Sequence, residues 1–155
     1  MVAHCIVWER ADGGVTTEYL ADESQLERAL SSTAARLLKK YGGPATPHEI
    51  DPATLPEPPD DTRFFNAWEW NDRTIVNMPK ARVIHMDHIR EVRDVELERL
   101  DVPYLKAMEA GVIVEQQRVA GLKQNLRDIP QSFDLSLAAT PEVLKETWPP
   151  ELPTP

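Results

Sequence analysis

His85 and His88, with Asp87 beside them, form the sharpest grouping of chemistry-bearing side chains in the sequence. On a helix, imidazoles at i and i+3 lie one turn apart and can share a metal ion, while Asp87 is rotated away by roughly 100 to 200°. A stable site needs three or four converging ligands, and only His4, His48 and scattered acids remain to complete one. A metal-dependent enzyme using His85 and His88 is therefore the outlying alternative. The plainer expectation packs one imidazole at a helix interface and leaves the other solvated. Cys5, the single cysteine, can be read as a nucleophile served by a distant His, but its neighbours are apolar, and there a thiol stays protonated and inert. The sequence has no GxSxG, Walker loop, GxGxxG or CxxC, so the usual hydrolase, phosphate, dinucleotide and zinc-ribbon sites lack their residues. The acid pair Asp60-Asp61 reads as solvated surface. The expectation is a protein without enzyme activity or cofactor.

The elements that would position these residues fall into four stretches. Val2 to Arg10 is apolar on both alternating faces and predicts a strand covered on both sides. The turn Ala11 to Gly14 and the β-branched run Val15 to Tyr19 complete a hairpin. Asp22 or Ser24 can cap a helix with a face of Leu26, Ala29, Leu30, Thr33, Ala34, Leu37 and Leu38, closed by Gly42-Gly43-Pro44. Residues 44–63 are rich in Pro and acids, with only Ile50 and Leu55 to bury, and read as a linker between a unit at 1–43 and a domain at 64–155.

A second hairpin is expected over Phe64 to Asn77, with Asn71-Asp72 at its turn. Trp68 and Trp70 would share one strand face, and Phe65 would take the other. Asn77 or Met78 then caps a helix with Pro79 in its first turn and a stripe of Ala81, Ile84, His88, Ile89, Val92, Val95 and Leu100. Asp87 with Arg90, Arg90 with Asp94 and Glu96 with Arg99 fall at ion-pair spacing on its charged side. Asp101 and Pro103 would restart the helix, and Glu109-Ala110-Gly111 would end it. A further helix carrying Val112, Val119, Leu122, Leu126 and Ile129 can return antiparallel, stopped by Pro130. Thr140-Pro141 opens a short last helix. The predicted class is thus α+β: a β-hairpin plus helix, a Pro-rich linker, then a β-hairpin, an antiparallel helical hairpin and a short C-terminal helix.

Composition bounds the role of this fold. The 155 residues are 41% hydrophobic and 28% charged, as in soluble domains. A net charge of -9 without any Lys/Arg block argues against nucleic-acid and anionic-membrane partners. No run approaches the ~20 apolar residues of a membrane span. The N-terminus lacks the basic start of a signal peptide, and the lone Cys5 suits a reducing cytoplasm. The candidate partner-binding residues are the aromatics and the apolar side chains of the Pro-tipped C-terminal arm: Phe65, Trp68, Trp70, Phe133, Leu135, Leu144 and Trp148. Each has core packing as its alternative; the arm can fold back on the helical hairpin or dock on a neighbouring chain.

From Phe64 onward, the strings FFNAWEW, NMPKARVIHMDHIREVRDVELERLDVPYLKAMEAG and QQRVAGLKQNLRDIPQSFDLSLAATPEVLKETWP resemble a family of small tail-module proteins of tailed bacteriophages and prophages. One departure is Val112-Ile113-Val114 directly after Gly111, where the pattern calls for a more polar turn residue such as Asp. The resemblance implies a non-enzymatic structural component of a phage tail or tail tip, made in the host bacterial cytoplasm, carried in the virion in several copies and bound to other tail proteins. The alternative it leaves open is a tail-fibre assembly chaperone that is absent from the mature particle. It supplies no catalytic residues.

Overall fold

In the computed structural model, which describes residues 4–58 and 61–154, the apolar N-terminal run forms strand β1 (His4–Glu9). The expectations on Val2, Ala3, Pro59, Asp60 and the His4 side chain lie outside the described residues. β1 pairs antiparallel with β2 (Val15–Leu20), Cys5 opposite Tyr19 and Glu9 opposite Val15. The turn between them needs the left-handed backbone of Gly13, φ 81°, whose N–H donates to the Arg10 carbonyl at 2.9 Å. Part of the expected linker is a strand as well: β3 (Thr46–Ile50) lies antiparallel on the other side of β1, giving the order β2-β1-β3. β1 is therefore central, which accounts for apolar residues on both its faces. Pro47 stands opposite Trp8 on the edge strand β3, a place where a missing N–H is tolerated.

Helix α1 (Leu26–Tyr41) covers the face bearing Ile6, Trp8 and Leu20, against which it packs Ala29 and Leu37. Only Ala29, Thr33 and Leu37, spaced by four, are buried on α1, and Leu38 is exposed despite its place in the expected stripe. Neither Asp22 nor Ser24 caps α1. A 3-10 turn over Glu23–Gln25 comes first, Asp22 accepts the Ser24 N–H at 2.9 Å, and Gln25 takes the cap position without a side-chain bond. Gly42, φ 74°, closes the helix through its N–H to the Leu38 carbonyl.

The other face of β1 packs Val7, with Val15, against the second hairpin, β4 (Trp68–Trp70) and β5 (Thr74–Val76). Phe65 is not on the opposite side of a strand from Trp68. A 3-10 turn over Phe65–Ala67 precedes β4 and lets the Phe65 ring tilt onto Trp68, centroids 5.1 Å apart. The chain divides into two compact units, Met1–Ala81 and Arg82–Pro155. Both β3 and the second hairpin belong to the first of these, so the units do not part at residues 44–63.

α2 (Met78–Glu109) starts as expected, Asn77 accepting the Lys80 N–H at 3.1 Å. It does not restart at Asp101. The helix runs through Pro103, and Asp101 is ion-paired with Lys123 rather than capping. Of the paired charges, Asp87–Arg90 (2.6 Å) and Glu96–Arg99 (3.7 Å) form, whereas Asp94 is held by its neighbour Arg93. Ala81, His85 and Ile89 make the buried line, and Val95 is exposed.

α3 (Ile113–Ser132) continues two residues beyond Pro130: the proline forgoes one i to i−4 bond, yet the Phe133 N–H still reaches the Ile129 carbonyl at 2.8 Å. α2 and α3 form an antiparallel helical hairpin, Gln116 donating to the Tyr104 hydroxyl at 3.3 Å. Ala107, Val119, Leu126 and Ile129 are buried. α4 (Pro141–Glu146) follows its Thr140 cap. The protein is thus α+β. Among the described residues no helix is long and apolar enough to cross a membrane.

Candidate protein-binding surface

The seven candidates from the sequence separate by burial. In the first unit Trp68 is fully buried, and its indole N–H donates at 2.7 Å to Glu57, a carboxylate that also accepts the Phe64 N–H at 3.1 Å and is itself 2% exposed. Trp70 is half-buried beneath the His48 ring, stacked at 3.8 Å and 11°. His48 in turn lies 3.2 Å from the Glu9 carboxylate. Phe65 and Trp70 pack on the same cluster as Trp68. These aromatics are brought together as core, with only the outer parts of Phe65 and Trp70 open.

In the second unit Leu135 and Leu144 are buried, Phe133 and Trp148 half-buried. The arm carrying them is folded onto its own unit by polar ties from Arg82 and His85, and Trp148 is fixed within the arm and against the two imidazoles. The Arg82 guanidinium donates to the Ser136 and Ala138 carbonyls at 3.2 and 2.9 Å. His85 Nε2 donates to the Thr147 carbonyl at 2.8 Å. The Trp148 indole N–H donates to the Pro153 carbonyl at 2.9 Å while its ring lies 5.8 Å from His85 and 5.5 Å from His88.

The same contacts decide how the titratable candidates are used. A carbonyl oxygen only accepts, so His85 Nε2 carries a proton and has no lone pair to give a metal. His88 is more open and leans its Nδ1 toward Glu91 at 3.6 Å. Among the described residues no group of three or more His, Cys, Asp and Glu side chains is placed to hold a metal ion. Burial pushes the Cys5 thiol up to about 11, which leaves it protonated near neutrality and without nucleophilic character.

A run of exposed apolar residues lies elsewhere, at the turn between α2 and α3. Gly111, φ 67°, lets the Val112 N–H return to the Ala107 carbonyl at 2.9 Å while its own N–H reaches Met108 at 3.1 Å. These are the paired bonds of a glycine-closed helix end. Having served the end of α2, Val112 is also the N-cap of α3, with no side-chain bond to offer the first N–H groups. Around this turn Leu105, Met108 and Val112 are each about half exposed (48%, 49% and 48%), Ile113 is 64% exposed and Val114 79%.

Comparison of the chain with protein-family models, with curated proteins and with solved structures gave no match. The site must be read from its own chemistry. Five apolar side chains of roughly half to four-fifths exposure fall within ten residues around this turn, a denser run than the single exposed apolar residues that dot any surface. The cap position adds to this. Asp, Ser or Thr at an N-cap stabilises a helix by about 1 kcal/mol over an apolar residue, so Val112 forgoes local stability where its neighbours are also apolar. Below the end, Arg118 forks onto Glu115 at 2.7 and 2.8 Å, and that hydrogen bonding holds the Glu115 carboxyl below its ordinary range. Sequence reasoning places only Val112 in a stripe and marks Val112-Ile113-Val114 as unusually apolar. Leu105 and Met108 escape it because helical spacing alone does not tell which side of α2 meets α3.

Proposed function

We propose that the chain is a non-enzymatic structural component of a bacteriophage tail or tail tip, present in several copies, which meets other tail proteins through the turn between α2 and α3. The observation that carries the protein-binding part is the exposure of Leu105, Met108, Val112, Ile113 and Val114 at one end of a helical hairpin. Removing such a surface from water is worth roughly 25 cal/mol for each Å² of apolar area covered, which only another apolar surface of matching shape provides. The assignment to a tail rests on the resemblance of the residues from Phe64 onward. The Pro-rich arm contributes differently from the expectation: with Leu135 and Leu144 buried, it holds its own unit together, and what it leaves open is Leu137, Val143 and the outer edges of Phe133 and Trp148.

Mass spectrometry of purified particles beside the crude lysate tests this, with the chain quantified against the major tail protein. A fixed ratio in particles is the expected result. Abundance in the lysate with absence from particles would overturn the structural reading in favour of an assembly chaperone.

A further inference from the structure

We infer that the tail protein met at the α2–α3 turn is a second copy of this chain, the two hairpin ends packing on each other about a two-fold axis. The inference rests on reading that turn as the protein-binding surface, and charge and area carry it further.

The chain has a net charge of -9, and two copies brought together over most of their surface would repel. The hairpin end is different. Between residues 101 and 123 the charged side chains are Lys106, Arg118 and Lys123 against Asp101, Glu109 and Glu115, three of each sign. Lys123 is paired with Asp101 and Arg118 with Glu115. Lys106 and Glu109 stand one turn apart on α2, both exposed at the margin of the apolar end. A two-fold contact is isologous, so residue i of one copy meets residue j of the other and the reverse. The Lys106 of each copy can then face the Glu109 of the other without any charge left over. The end of the hairpin is therefore both neutral and self-complementary in sign.

Area gives the second argument. Five aliphatic side chains at these exposures present on the order of 500 Å² of apolar surface. A standard interface buries about 800 Å² per partner, and its core is about 65% apolar. The apolar end thus matches the non-polar share of one side of an ordinary dimer contact, leaving the rim to Lys106, Glu109 and their neighbours. Val112 in the cap position fits the same use, because an Asp there would place a carboxylate opposite its own copy.

The experiment is sedimentation velocity on the full chain over a range of concentrations, comparing wild type with Val114→Asp and Leu137→Asp. Val114 sits in the first turn of α3, where an acid is favourable to the helix, so the variant stays folded, as far-UV circular dichroism checks. Leu137 is 88% exposed and outside the turn, so its variant controls for added charge alone. Wild type should rise from 17.6 kDa toward twice that mass with concentration. Val114→Asp should weaken the association at least tenfold, and Leu137→Asp should leave it unchanged within a factor of about two. Wild type monomeric up to about 500 µM, or Val114→Asp and Leu137→Asp associating equally, overturns the inference. Particle composition separates the two readings. A monomeric wild type still found in particles, and lost from them as Val114→Asp, sinks the second-copy assignment and leaves the tail-protein reading standing. A dimer absent from particles does the reverse.

Discussion

Cys5 sits on the central strand with no exposed surface, and the cost of burying its thiolate holds its ionisation near 11 instead of the ordinary 9.0. In the unfolded chain the thiol loses its proton first, so the unfolded state is favoured progressively as pH rises from about 9 to about 11, and the effect levels off above that. A rise of this size in the folded state corresponds to about 3 kcal/mol. Tyr19, opposite Cys5 in the register, is raised in the same direction by its own burial and then by Cys5, so it adds to the alkaline loss. Urea midpoints measured from pH 8 to 11 should fall in wild type, and Cys5→Ala should remove the greater part of that slope. Glu57 makes a second residue-scale test. Truncation to Ala leaves the Trp68 indole N–H and the Phe64 amide in a closed interior and should cost about 2–4 kcal/mol. Glu57→Gln should cost less, because its amide oxygen still accepts the indole proton. Thermal unfolding followed by tryptophan fluorescence reads both.

At the scale of elements, the turn between α2 and α3 is where helix capping and the proposed association compete. Val112→Asp supplies the missing acceptor at the N-cap of α3 and should stabilise the fold by about 1 kcal/mol, read as a higher urea midpoint, while weakening the contact between copies. Trp148→Ala should cost about 2 kcal/mol of stability, read as a lower midpoint, since the ring packs at His85 and His88 and its N–H closes the arm's own turn on Pro153.

Elements governed by local chemistry were legible in the sequence. Gly13 and Gly42 mark backbone that only glycine adopts cheaply, and Asn77 and Thr140 announce helix starts through their side-chain acceptors. What was hidden depends on partners distant in the chain. β3 reads as linker because Pro47, His48 and Glu49 have no strand-like pattern; it forms because β1 still has an unpaired side. Glu57 looks solvated among prolines, and only the fold brings Trp68 and Phe64 to it. Pro103 looks like a restart, yet the tertiary support of a long hairpin outweighs one lost hydrogen bond. Among the candidate residues, Trp68, Leu135 and Leu144 looked as suited to a partner as to a core, because apolar type does not distinguish the two. The turn itself was visible as an oddity at Val112-Ile113-Val114, whereas the exposure that gives it meaning was not.

For the whole molecule, the net charge of -9 makes a prediction that no single residue makes. In the proposed dimer, two copies meeting at neutral ends would still carry their remaining charge behind the contact, and added salt screens that repulsion while leaving apolar packing intact. Raising ionic strength from about 0.05 to about 0.5 M should therefore tighten the association severalfold by sedimentation equilibrium. A contact held by ion pairs would loosen instead.

Pro47 has a consequence of another kind. At the high local concentration that the proposed assembly in several copies would bring, an open sheet edge invites one chain to extend the sheet of the next and so seed a fibre. β3 is one of the two outer strands of its sheet, β2 being the other, and the second residue of β3 brings no N–H to any neighbour. On that side the sheet is a poor template for a stranger, which disfavours runaway strand stacking there relative to contacts that close.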